Sequence, residues 1–364
     1  MSSRSEQPPS TESSPPSLPR TFGGGAVGPA AVRILGVGHY APEKVLTNVD
    51  LEKIVDTSDA WIVERTGIKE RHVAAEGELT SDMATAAAKL ALERAGITGA
   101  ELDMIIVGTI SGDMPMPACA AFVQQKIGAK QCPAFDVSAA CAGFLYGMTI
   151  AERFIRAGGV RYVLVIGVEL LSRLLDWEDR KTCVLFGDGA GAVVVGPNDL
   201  SSPAYGPGGE GRGILSTHLF TDGALANSLF IPGGGSKEPT SQVVLANKRH
   251  LVHMEGQDVF KAAVRNLAAA SNAALAANGI TAKDVDWVVA HQANYRILQA
   301  ISQRLELPME RFFINIHKYG NTSSASIPIA LDELLDTGAL KPGQLVLMCA
   351  LGAGISWGSA LIRW

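Results

Sequence analysis

The sequence predicts an α/β protein of layered architecture made of two related halves, and three observations lead there. The apolar runs are short and unalternating, as strands covered on both faces should be. They alternate with helical stretches that stop at glycine. One helix–turn–strand passage also occurs twice: residues 91–109 read ALERAGITGAELDMIIVGT and residues 274–292 read ALAANGITAKDVDWVVAHQ. Gly96 pairs with Gly279 and Asp103 with Asp286, each at an offset of 183, a likeness beyond what helix–turn–strand punctuation alone produces.

Taken in order, the chain opens on residues 1–30, a Ser/Pro-rich tail with almost no large apolar residue. Such a segment cannot bury enough surface to order itself and is expected to be disordered. It lacks the apolar stretch of a secretory signal, and Glu6 and Glu12 beside only Arg4 and Arg20 make it a poor transit peptide. Two related halves follow, about 31–200 and 201–364, each alternating strands with helices. A second repeated pair supports the division. IAERFIRAGGVRYVLVIGVE (150–169) resembles IALDELLDTGALKPGQLVLMCAL (329–351), a helix ending at glycine before an apolar strand. Before each of these, CPAFDVSAACAG and RFFINIHKYGNTSS pass from a strand into a small-residue turn that opens a helix. Ligand sites in such sheets lie at strand C-terminal ends, so the junction of the halves is the natural place for chemistry.

Composition narrows the function. With 364 residues, 47% of them hydrophobic, the chain can bury a sizeable core. A net charge of −5 argues against a general binder of nucleic acid or anionic membranes. No apolar run reaches the roughly 18–20 residues a membrane helix needs. The five cysteines, at 119, 132, 141, 183 and 349, show no CxxC or zinc spacing. An odd number in a long chain points to reduced thiols and a cytoplasmic setting.

Three polar residues stand at strand ends. Cys141, in FDVSAACAGF, follows a strand and precedes a helix. It is either a small core residue or a nucleophile whose pKa the helix N-terminus lowers. His291 closes the strand DWVVAHQAN, where a buried polar cluster is costly unless paired. Asn321 lies in HKYGNTSSASIP, where Gly320 permits an irregular turn and Thr322, Ser323 and Ser324 are cap-type residues. By the repeat, Cys141 and the Asn321 turn occupy equivalent strand–helix junctions, and His291 ends the repeated strand.

These stretches, together with TSDAWIVERTGIKERH (57–72), FGDGAGAVV (186–194) and GAGISWGSALIRW (352–364), are similar in order and spacing to the type III β-ketoacyl-ACP synthases. These are thiolase-fold condensing enzymes that start fatty-acid chains. The resemblance covers residues 31–364 and implies an αβαβα sandwich with a Cys141–His291–Asn321 site. It implies an oxyanion hole from the backbone N–H groups of Cys141 and Ala353, where the family often has Gly-Gly-Gly and this chain has Gly352-Ala353-Gly354. Coenzyme A contacts carry over to Trp61, Arg65 and Arg180, and Met116 falls where the family reaches across a homodimer to close the partner's acyl pocket. Lys261, Arg265, Arg296 and Arg304 form the expected docking patch for acidic acyl carrier protein (ACP). Asp188 is read as a structural turn residue. The substrates implied are acyl-CoA and malonyl-ACP, with no permanently bound cofactor or metal. Competing readings are a specialised ketosynthase or acyltransferase of polyketide or other secondary metabolism, a thiolase using Cys349 as a second cysteine, and an inactive carrier-protein-binding module. The last would be expected to have lost one of the three site residues, and all three are present.

Overall fold

The computed structural model describes residues 32–198 and 211–364; the tail expected at 1–30 lies outside the described residues. Strand β1 (Val32–Tyr40) is followed by the antiparallel pair β2 (Val45–Thr47) and β3 (Glu70–His72), then by β4 (Met104–Gly108), β5 (Ala134–Val137), β6 (Val163–Glu169) and β7 (Gly189–Pro197). A five-stranded sheet runs in the order β1-β7-β6-β4-β5, with β4 parallel to both β5 and β6. Beyond residue 211 come β8 (Gly213–Thr221), the short pair β9 (Leu229–Phe230) and β10 (His253–Met254), and then β11 (Trp287–Ala290), β12 (Leu345–Gly352) and β13 (Ser356–Arg363). The second sheet has the order β11-β12-β13-β8, with β11 parallel to β12.

The helices are α1 (Asn48–Leu51), α2 (Asp59–Thr66), α3 (Thr80–Ala95), α4 (Cys119–Lys126), α5 (Gly143–Ala157), α6 (Gln242–Ala246), α7 (Gly256–Ala277), α8 (Tyr295–Leu305), α9 (Ile316–Tyr319) and α10 (Ser326–Asp336). Helices α5 and α10 lie between the sheets. Phe144, Leu145 and Met148 from the first, and Ile327, Leu331 and Leu334 from the second, share one core with Val163 and Val165 of β6 and Val346 and Met348 of β12. The intervening strand residues point outward. Leu164 and Ile166 pack under α3, while Leu345 and Leu347 pack under α7 and α8. Each central strand is therefore apolar on both faces, which is why its sequence does not alternate. The result is five layers, αβαβα, as expected.

The repeat is kept in detail. The Asp103 N–H donates to the Tyr162 carbonyl at 2.9 Å, and the Asp103 carboxylate accepts the Tyr162 N–H at 3.1 Å. Asp286 does the same with Leu345, at 3.0 and 2.8 Å. A 3₁₀ turn at Ala140–Ala142 opens α5, and one at Ser323–Ala325 opens α10. Ala140 (φ 43°) and Ser323 (φ 51°) both take the left-handed conformation that non-glycine residues seldom adopt. All these pairs are separated by the same 183 positions.

Candidate active site

Cys141 sits in the turn between β5 and α5 and is 6% exposed. Its seat is shaped by Gly352 at the end of β12. A Cβ there would fall 2.5 Å from the Ala139 carbonyl oxygen and 2.7 Å from the Cys141 nitrogen, so only glycine allows the approach. This contact brings the following residue, Ala353, beside the Cys141 backbone. Ala353 itself keeps negative φ, and the left-handed turns fall on Gly354 and Ile355, so alanine suits the position.

Burial pushes the Cys141 thiol up to about 12, with the Ser323 hydroxyl opposing the shift and Glu169 adding to it. Burial therefore works against the lowering that the helix start was expected to give.

His291 extends β11 by one residue, its N–H donating to the Cys349 carbonyl at 2.8 Å. Burial lowers its pKa to about 3, so the imidazole is neutral. Its Nδ1 has no protein partner among the described residues. The next residue supplies the rigidity. The Gln292 amide donates to the carbonyls of Ala290 (2.9 Å) and Phe313 (3.1 Å), and its own N–H donates to Ser326 Oγ at 2.7 Å. Asn294 then caps α8 by accepting from the Arg296 N–H.

Asn321 follows α9 and is pinned through its backbone. Its N–H donates to the Leu185 carbonyl at 2.8 Å, and its carbonyl accepts the Gly187 N–H at 3.0 Å. The Ser323 N–H donates to Oδ1 at 2.9 Å, which makes Nδ2 the free donor end of the amide. A largely apolar cavity of about 210 Å³ touches both turns. Its walls include Ile110, Leu171, Phe186, Leu229 and Val252, together with Ala140, Ser323 and Ala353.

The other expected residues fall as follows. Trp61 and Arg65 share one face of α2, which Ser58 caps. The guanidinium carbons of Arg65 and Arg180 lie 4.8 and 5.1 Å from the Trp61 ring, so the three come together. Met116 is 83% exposed and lies outside the walls of its own chain's cavity. Lys261 and Arg265 are exposed on α7, and Arg296 and Arg304 on α8. Arg296 approaches Glu64 of α2 at 3.5 Å, next to the tryptophan platform. Asp188 is fully buried and holds Ala74 and Ser172 through their N–H groups, a structural staple. Cys349 is fully buried in the core under α7 and α8.

Sequence reasoning passed over two residues. Gln292 was visible only as part of a polar cluster. Glu169 closes the strand VLVIGVE fully buried, and its one signal was an acid ending an otherwise apolar strand.

Comparison with known proteins decides the family. The family model described as 3-oxoacyl-[acyl-carrier-protein (ACP)] synthase III matches residues 135–223, and the model of its C-terminal part matches residues 275–364. A β-ketoacyl-[acyl-carrier-protein] synthase III of Caldanaerobacter subterraneus is 49% identical over 92% of this chain and 98% of its own. The chain belongs to the 3-oxoacyl-ACP synthase III family. Among solved structures, the family member from Aquifex aeolicus is 46% identical with a TM-score of 0.82, covering 92% of this chain and all of its own. The priming β-ketosynthase of the R1128 polyketide pathway is 34% identical, also with a TM-score of 0.82, over 92% and 97%. The five layers are therefore those of the synthase III, or thiolase, fold. Among the described residues no helix is long and apolar enough to cross a membrane.

Proposed function

We propose that the chain joins an acyl-CoA primer to malonyl-ACP by decarboxylative Claisen condensation, starting a fatty-acid chain, with Cys141, His291 and Asn321 as its catalytic residues. In the first stage the Cys141 sulfur attacks the thioester carbonyl and gives up its proton. The carbon–sulfur bond to coenzyme A breaks, and the expelled thiolate is protonated. The N–H groups of Cys141 and Ala353 hold the tetrahedral oxygen.

In the second stage the malonyl thioester carbonyl accepts from His291 Nε2–H and Asn321 Nδ2–H. Carbon dioxide leaves, and the electron pair moves into an enolate that those donors stabilise. The enolate carbon attacks the acyl-cysteine, the cysteine sulfur leaves, and a 3-oxoacyl thioester remains. The reading is supported by a buried His291, whose burial disfavours the charged form, and by an Asn321 amide whose Oδ1 already accepts the Ser323 N–H, so two neutral donors are available. A pair of neutral donors suits a developing enolate, because neither can surrender a full proton to it.

Trp61, Arg65 and Arg180 serve as the adenine and phosphate platform for the primer's coenzyme A. ACP docks on Lys261, Arg265, Arg296 and Arg304. The working form is a homodimer in which Met116 bounds the partner's acyl pocket, and the protein acts in the cytoplasm.

The deciding experiment treats the purified protein with a panel of short straight and branched acyl-CoAs and reads intact mass and peptides. A single acyl group on Cys141, absent from Cys141→Ala, is expected. No adduct from any acyl-CoA would overturn the reading.

A further inference from the structure

Glu169 is a fully buried carboxylate that no lysine, arginine or histidine meets among the described residues. Instead it gathers donors. Ser111 Oγ–H donates at 2.5 Å, Thr109 Oγ1–H and the Ile110 N–H at 3.2 Å, and Ser323 Oγ–H at 3.2 Å. Burial pushes its carboxyl up to about 7 despite those bonds. Interring a carboxylate without a counter-charge is costly, so its placement calls for a reason beyond filling space.

The donors come from two places that matter to the site. Residues 109–111 leave the end of β4, and Ile110 forms part of the cavity wall. Ser323 is held in a left-handed conformation and donates its N–H to Asn321 Oδ1, and its turn packs against the Cys141 turn, with Ala140 and Ser323 lining the same cavity. The repeat adds an independent observation. Glu169 is the counterpart of Gly352 at the offset of 183. Where the second half presents bare glycine to the nucleophile turn, the first half presents a carboxylate to the donor turn.

We propose that Glu169 is a positioning residue for the condensation: by gripping Ser323 and the 109–111 loop together, it fixes the aim of the Asn321 amide and the seat of the Cys141 thiol against the acyl cavity. This rests on the function proposed above. In its ionised form the carboxylate accepts from all four donors. Glutamine would turn an NH₂ toward one of them, whereas aspartate keeps the acceptors on a shorter arm.

The test uses the full chain as wild type, Glu169→Gln, Glu169→Asp and Ser323→Ala. It reads thermal melting, steady-state condensation with acetyl-CoA and malonyl-ACP, and the rate of Cys141 alkylation by iodoacetamide. Glu169→Gln is expected to lower kcat by about tenfold or more with KM for acetyl-CoA within about threefold, and Glu169→Asp to recover much of the loss. Ser323→Ala, which removes one hydroxyl, is expected to lower kcat in the same direction. Wild-type kcat in Glu169→Gln would overturn the proposal. So would equal losses in the Gln and Asp variants that track their melting temperatures. If Glu169→Gln does not fold, Ser323→Ala decides, and wild-type kcat there overturns it. If the wild type itself makes no condensation product, the functional reading has failed instead. Alkylation then carries the test, because it needs no acyl donor: a rate changed severalfold in Ser323→Ala or Glu169→Gln sustains the positioning role, and an unchanged rate ends it.

Discussion

At the scale of single residues, burial works against charge on both titratable groups of the site, Cys141 and His291. His291 shows the consequence most directly. Its pKa is depressed from 6.5 to about 3, so between those values the unfolded chain takes a proton that the folded chain refuses. Stability from this group is full above pH 6.5 and is lost as pH falls toward 3, at up to about 1.4 kcal/mol per pH unit. His291→Gln should therefore lose less stability than wild type between pH 7.5 and 5.5, read as urea midpoints. The imidazole ¹⁵N shifts of His291 should stay at neutral values over the same range. In turnover, His291→Ala should still accept an acyl group on Cys141 while malonyl-ACP decarboxylation drops about 10²–10³-fold, the usual cost of one lost donor. Normal decarboxylation with lost acylation would contradict the assigned role. Cys141 was legible in the sequence as a residue at a helix start, but its protonation was not. The close approach of Gly352, more than two hundred positions away, has no local signature.

Among the elements, the two strand–helix turns carry the site, and each is seated on a glycine from a neighbouring strand. Gly352 meets the Cys141 turn, and Gly167 of β6 meets the Ser323 turn, where a Cβ would lie 2.1 Å from the Ser324 carbonyl oxygen. Both contacts are with backbone, so an added methyl must move a turn rather than a side chain. Gly352→Ala and Gly167→Ala are each expected to cost about 1–3 kcal/mol in denaturant melts. The first should slow acylation by acyl-CoA more than decarboxylation, and the second should reverse that order. Equal effects on both half-reactions would show that the turns do not act separately. The turns were visible as small-residue runs after apolar strands, and the repeat linked them before any contact was known. Glu169 escaped because the chemistry that singles it out, four donors from 109–111 and 323, is assembled across the fold.

Over the whole molecule, the layered order and the likeness of the two halves could be read from periodicity and from two repeated passages, because a strand buried on both faces writes its environment into its own sequence. Partner surfaces could not, since exposed lysines and arginines look alike wherever they stand. The expected patch is tested by charge. Lys261→Glu with Arg296→Glu should raise KM for malonyl-ACP severalfold, more at low salt than at high, and leave acyl-CoA acylation unchanged. A salt-independent effect, or none, would move ACP docking elsewhere.

The repeat has one further consequence. Cys141 and Ser324 hold the same seat in the two copies of one turn, and the Ser324 hydroxyl is tied to the Gly108 carbonyl at 2.5 Å. One copy thus places a thiol at that seat, and the other a hydroxyl already engaged by backbone. In the proposed reaction the covalent stage falls on one copy of the turn and the enolate stage on the other, a division of labour between two like turns.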